Sequence, residues 1–217
     1  MALGLWKVVA DVAKLTDGEC VFIGGVAVYL YTQRSGDNMI PEATHDVDAS
    51  ITIAASGTLR DHQLLTQNKR LKKAQITVGD IEVDIYVEHQ NSLRFDYDEL
   101  ATHAETVSIG KAVDIQLASI PHLLFLKLDA LRSRGASEHG SKDRRDVAKL
   151  LVILGARVDS ADLYLVIGNA TRPDLNTVAQ VIKSTAFMEI ARRNAQAAAK
   201  LRGKAQHFMD LVKKEVL

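Results

Sequence analysis

The sequence predicts an α/β (α+β) fold in which a mixed-sheet core is followed by a C-terminal helical domain. Three observations carry this. An apolar segment, "ECVFIGG", ends in a glycine pair and feeds a helical pattern, as a buried strand turning into a helix does. The stretches 74–87 and 105–119 alternate apolar and polar residues around "GD" and "GK", the period of strands joined by hairpin turns. After Ala118 the period becomes helical and stays so, which divides the chain into residues 1–118 and residues 119–217.

The elements follow in order. Leu5, Val8, Val9, Val12 and Leu15 recur at helical spacing and predict an opening helix over 5–15. "ECVFIGG" is a short buried strand, "VAVYLYTQR" the helix after it, and "NMIPEATH" a loop. "DVDASITIAA" (46–55) reads as a strand with its carboxylates at the start, and "TLRDHQLLTQNKRLKK" (58–73) as a helix with a basic end. The two hairpins come next. In the second half, "SIPHLLFLKLDALRSR" has Ser119 as an N-cap and Pro121 in the first turn. "GASEHGS" is loop, and "KDRRDVAKLLVIL" (142–154), "ADLYLVIG" and "DLNTVAQVIKS" are helices. A long helix rich in Ala and Lys is expected from Ala186 to the end.

Composition narrows the function. A chain of 217 residues, 47% hydrophobic, can bury a real core. Lys plus Arg equals Asp plus Glu at 27 each, so any site for a polyanion must be a local patch. The single cysteine, Cys20, excludes an intramolecular disulfide and a thiolate metal cluster, and reads as a core residue. Lys7, Asp11 and Lys14 interrupt the N-terminal stretch, unlike a signal peptide, and the uncharged run from Cys20 to Gln33 is too short to span a bilayer. The expected setting is cytoplasmic, with no membrane partner.

Against this frame "THDVDASI" (44–51) stands out. Asp is a poor strand former, and alternation puts Asp46 and Asp48 on one face, where they repel. Upstream, Gly24 and Gly25 let a backbone approach phosphate closely at a helix N-terminus. Downstream, "EVDIYV" brings Asp84 on a further strand. Three carboxylates beside a phosphate-binding turn suit Mg²⁺ or Mn²⁺, hard ions that take oxygen ligands and bridge to substrate phosphates. Taken singly, each part has a plainer reading. A D-x-D pair is more often a solvated strand start, and a Gly-Gly is usually a turn.

The combination "GGVAVYLYTQR…THDVDASI…EVDIYV" resembles the nucleotidyltransferase superfamily that includes DNA polymerase β, and especially the branch with the AbiEii and MenT toxins of toxin–antitoxin systems. The shared features are the Gly-Gly turn, Thr44 two residues before Asp46, the Asp46/Asp48 pair and the later Asp84. "HLLFLKLDALRSR…KDRRDVAKLL" continues the likeness, with Lys127, Arg134, Asp143 and Asp146 at the family's later positions. The match runs from Gly24 to Leu151; "SGDNMIPEA" (35–43) is longer than in many members, and residues 155–217 match nothing in it.

The resemblance implies a metal-dependent transfer of a nucleoside monophosphate from an NTP to a hydroxyl. Asp46, Asp48 and Asp84 would be metal-holding and catalytic. Gly24, Gly25, Thr44, Lys127, Arg134, Asp143 and Asp146 would serve nucleotide binding, in a site completed by the helical domain. An RNA acceptor, tRNA in particular, and an antitoxin protein are the implied partners. The other readings are a small-molecule (antibiotic) nucleotidyltransferase and a non-catalytic binding module on the same fold.

Plainer readings stand beside these assignments. Lys127 could snorkel from an apolar helix, Asp143 and Asp146 could serve the macrodipole of a helix's first turn, and Arg134, Arg144 and Arg145 could be solvated charges. His45 reads as a loop residue. Basic residues cluster at 68–73 and across Arg192, Arg193, Lys200, Arg202 and Lys204. On one continuous helix Arg193, Lys200 and Lys204 would form a stripe able to track a phosphate backbone.

Overall fold

The computed structural model describes residues 3–42, 44, 46–68, 73–110, 113–135 and 137–216. The chain divides into two compact units, Met1–Ala27 with Ala43–Ser119, and Val28–Glu42 with Ile120–Leu217. The expected contiguous division at 118/119 therefore differs in two respects: residues 28–42 belong to the helical unit, and Ser119 to the first.

The first unit opens with α1 (Leu3–Leu15), β1 (Cys20–Ile23) and the first turn of α2 (Gly24–Arg34). It continues with β2 (Val47–Ile51), α3 (Ile53–Asp61), β3 (Thr66–Asn68), β4 (Lys73–Val78) and β5 (Ile81–Val87). α4 (Tyr97–Thr102), β6 (Glu105–Ile109) and β7 (Val113–Leu117) complete it. Among the described residues the strands form one sheet in the order β3-β4-β5-β2-β1-β7-β6. The β1–β7 and β2–β5 pairs are parallel and the other neighbours antiparallel, so the sheet is mixed.

Strand alternation decides which face is core. Val47, Ala49 and Ile51 on β2 lie opposite Val83, Ile85 and Val87 on β5, and all six are buried. Asp48 lies opposite Asp84 on the other face, half-buried. Cys20 is buried in β1, and burial pushes its thiol up to about 11, as befits a core residue.

Two expectations in this unit are corrected. The strand expected over 46–55 stops at Ile51, because the Thr52 hydroxyl accepts the Ala55 N–H and starts α3. The helix expected over 58–73 ends at Asp61 and is followed by β3, which pairs with β4 in antiparallel register. The basic residues Lys69, Arg70 and Lys72 lie outside the described residues, as does His45.

The second unit holds the rest of α2, then α5 (Ile120–Arg134), α6 (Glu138–Arg157), α7 (Ser160–Asn169), α8 (Arg172–Lys183), α9 (Ala186–Ile190) and α10 (Ala195–Val216). α6 starts before the expected Lys142, because the Ser137 hydroxyl accepts the Gly140 N–H at 3.1 Å. Asp143 and Asp146 therefore sit beyond the first turn, where the macrodipole reading no longer applies. α6 packs on α10 at Gly155, where a Cβ would collide with the Lys204 carbonyl oxygen.

The single helix expected from Ala186 onward is broken. Arg192 and Arg193 take left-handed φ angles of 53° and 59°, which a right-handed helix cannot contain. The Asn194 side-chain oxygen then accepts the Ala197 N–H at the start of α10. This also dissolves the expected stripe. Arg193 lies off the helix, Lys204 is ion-paired to Asp37, and Arg202 donates to the Ser184 carbonyl and lies over the Phe187 ring. Among the described residues no helix is long and apolar enough to cross a membrane.

Candidate functional site

The first unit gathers several of the sequence-predicted residues at one end of β1 and β2. Gly24 follows the last residue of β1, and Ile23 lies opposite Asp48. Gly24 has φ +76°, and a Cβ there would collide with the Asp48 carboxylate. Only glycine combines that conformation with that approach. Gly25 continues into α2.

Thr44 fixes the approach to β2. Its buried hydroxyl donates to the Asp46 carbonyl at 3.1 Å and accepts the Asp46 N–H at 3.4 Å. This turn sets the backbone of Asp46, an exposed residue immediately before β2. The Thr-x-Asp-x-Asp pattern thus has a local structural cause.

Asp84 is held from the neighbouring strand. Gln75 lies opposite it on β4 and donates to its Oδ1 at 2.9 Å, while the Lys73 ammonium, two residues along the same face, pairs with Oδ2. Both side chains of the Lys73–Asp84 pair are largely buried. Among the described residues no three Asp, Glu, His or Cys side chains gather as a metal-holding group. Asp48 and Asp84 are thus brought into register and Gly24 against Asp48, while Asp84 is turned to Lys73 and Gln75.

Within the second unit the remaining four predicted residues meet each other. Lys127 on α5 pairs with Asp143 at 3.1 Å and Asp146 at 3.0 Å on α6, and Arg134 pairs with Asp143 at 3.0 Å. Lys127 does not snorkel. It is 8% exposed and held between two carboxylates.

The chain of charges extends further than the sequence suggested. Lys149 contacts Asp146 at 3.3 Å and Glu42 at 2.7 Å, and Arg145 bridges Glu42 at 2.7 Å and Glu189 at 3.1 Å. From Arg134 through Asp143, Lys127, Asp146, Lys149, Glu42 and Arg145 to Glu189, the sign alternates at every step. Burial alone would raise the Asp146 carboxyl, but the Lys127 and Lys149 charges outweigh it and hold it below its ordinary value. Glu42 behaves likewise, its burial overcome by the Arg145 hydrogen bonds and the Lys149 ammonium. Those same bonds push the Arg145 guanidinium up.

Sequence reasoning missed Lys73, Gln75, Glu42 and Lys149, and it treated Arg145 as solvated. A signal existed for Lys149: Asp143, Asp146 and Lys149 recur every three residues, which brings helical neighbours together. None existed for Glu42, whose contacts lie about a hundred residues away.

No family model and no curated protein matches the chain. Among solved structures it is similar to an antigenic nucleotidyltransferase-like protein from Paracoccidioides brasiliensis, at 17% identity and a TM-score of 0.53, covering 90% of this chain and 92% of that one. JHP933 from Helicobacter pylori matches at 14% identity and a TM-score of 0.48, covering 98% of this chain and 92% of that one. At 17% identity the first of these likenesses speaks for the fold alone. The chain has the mixed α/β fold of a nucleotidyltransferase-like protein, with a helical C-terminal region.

Proposed function

We propose that this chain is a nucleotidyltransferase that moves a nucleoside monophosphate from an NTP to a hydroxyl acceptor, releasing pyrophosphate. The carrying observation is the strand-end arrangement of Gly24 packed on Asp48, Asp48 in register with Asp84, and Asp46 fixed by Thr44. Placing like charges on neighbouring strands is costly; Lys73 offsets part of that cost at Asp84, and a metal-bound nucleotide would offset more.

The residues supply the donor type that Mg²⁺ or Mn²⁺ takes, although among the described residues they are not drawn into a group of three. The donors are carboxylate oxygens, and Gly24 has no side chain to obstruct Asp48. Asp46 and Asp48 would hold the ion, and Asp84 would complete the set. When bound, the ion would supply charge neutralisation on the transferred phosphoryl group and its leaving oxygen. Gly24 and Gly25 open α2, whose first N–H groups favour phosphate oxygens. Asp84, oriented by Lys73 and Gln75, would take the acceptor proton. Lys127 and Arg134, the cations that the family resemblance assigns to the nucleotide, are held within the second unit by Asp143 and Asp146.

The fold neighbour's description as nucleotidyltransferase-like supports the reaction class. The sequence resemblance to the AbiEii/MenT branch supports RNA, tRNA in particular, as acceptor, and a role as the toxin partner of an antitoxin protein. The test is incubation with each labelled NTP, Mg²⁺ and total tRNA, following label in RNA and pyrophosphate in solution. Both are expected together for at least one NTP. Pyrophosphate with label in a small hydroxyl compound would move the acceptor to a drug-like molecule, and no pyrophosphate with any NTP would sink the enzyme reading.

A further inference from the structure

The helical unit contains a cavity of ≈ 420 Å³ that the proposed reaction does not use. We propose that it binds a nucleoside 5′-phosphate, either free or as the terminal nucleotide of an RNA strand. The inference goes beyond the proposed transferase activity and does not depend on it.

Size and walls come first. The volume falls within the roughly 300–1,000 Å³ of small-molecule sites. Ile40 and Ile190 supply apolar wall, and they are joined by a backbone hydrogen bond of 2.9 Å from the Ile40 N–H to the Ile190 carbonyl. A flat heterocycle packs on such a surface.

The charges then separate into two sets. Arg145, Glu42 and Glu189 line one part and satisfy one another, with the buried Lys149 ammonium behind Glu42. Arg192 and Arg193 line the rest. Both are exposed, and neither makes an ion pair among the described residues. Three guanidiniums against two carboxylates leave the lining net positive, and the positive charge that remains uncommitted is a neighbouring pair of planar forks. Guanidinium forks match phosphate oxygens bidentately.

The backbone adds an independent observation. Arg192 and Arg193 both hold left-handed conformations, at φ 53° and 59°, in the turn between α9 and α10. Glycine or asparagine takes such positions with less strain, and the Arg193 N–H to Met188 carbonyl bond of 2.7 Å that closes the turn needs no side chain. Turn geometry alone therefore does not account for two arginines. Recognition of an anion at the rim does.

The test uses the whole chain in a chelator, which silences any metal-dependent nucleotide site. Binding is measured by calorimetry with AMP and with inorganic phosphate, and by anisotropy with a labelled RNA oligomer carrying or lacking a 5′-phosphate. The variant is Arg192→Gly with Arg193→Gly, which relieves the backbone strain while removing both forks. Expected are a melting temperature equal to or above wild type and AMP binding weakened at least about tenfold, as loss of charge-assisted contacts implies. Phosphorylated RNA binding to the same site, lost in the same variant, would identify the strand end as a source; AMP alone would identify the free nucleotide. Inorganic phosphate binding as tightly as AMP would overturn the nucleotide assignment. So would AMP binding unchanged in the variant, or no binding of any probe to wild type. A variant that melts well below wild type would show that the arginines serve the fold, and would overturn the proposal too.

Discussion

The two units treat charge in opposite ways. At the strand end of the first, Asp48 and Asp84 face each other across β2 and β5, and Asp46 stands just ahead. In the second, six charged groups on α5 and α6 together with Glu42 and Glu189 alternate in sign, and the innermost are almost wholly buried. The first arrangement sets two half-buried carboxylates side by side on interior strands, with Lys73 against one of them. The second satisfies its charges internally, so that each member depends on its neighbours. The proposed function puts binding in the first, whereas the second holds the helices to one another.

Breaking the second arrangement should have the largest effect. Asp146→Ala would leave the Lys127 and Lys149 ammoniums short of a partner in a buried setting, a loss of about 3–5 kcal/mol. Urea unfolding measures it, and a midpoint within error of wild type would show that the ion chain is not structural.

In the first arrangement the effects should fall on activity instead. Asp48→Asn should lower nucleotide transfer at least about a hundredfold. Its unfolding midpoint should change little, since the substitution keeps the shape of a half-buried side chain at the strand end. Transfer at the wild-type rate would remove Asp48 from the site, and a large stability loss would erase the contrast between the units.

Acid should sharpen the contrast further. Asp146 and Glu42 both titrate below their ordinary values of 3.8 and 4.5 when folded. A depressed carboxyl contributes stability that is full above its unfolded pKa and is lost as pH falls through the folded one. Stability should therefore decline from about pH 4.5 downward, and Asp146→Ala should flatten that limb. A wild-type acid limb in the variant would assign the decline to other carboxylates.

The smallest effect concerns Lys73. Its pairing with Asp84 competes with any cation for the same carboxylate, so Lys73→Gln should lower the Mg²⁺ concentration for half-maximal transfer by about two- to fivefold. An increase would mean that the orientation Lys73 gives Asp84 matters more to the ion than its competing charge.

Much of this was legible in the chain itself, for local reasons. The Gly-Gly turn and the hairpin at Gly79-Asp80 each involve residues within a few positions of one another. Propensity and period describe such features well. The same locality explains the early end of β2. Thr52 caps α3 with its own hydroxyl, a signal present in "TIAA" that the apolar run concealed. The break at Arg192-Arg193 was hidden more deeply, because arginine is a good helix former and nothing in its side chain announces a left-handed backbone.

By itself, then, the sequence determined most strands and helices outside 52–73 and 186–194, which faces are apolar, and that Asp48 lies near the glycine turn. Only the tertiary structure decided how the charges pair. Lys73 reaches Asp84 because antiparallel register brings β4 alongside β5, and Glu42 reaches Arg145 and Lys149 across more than a hundred residues. Pairing energy depends on distance and burial in space, and neither quantity is written in the spacing of residues along the chain.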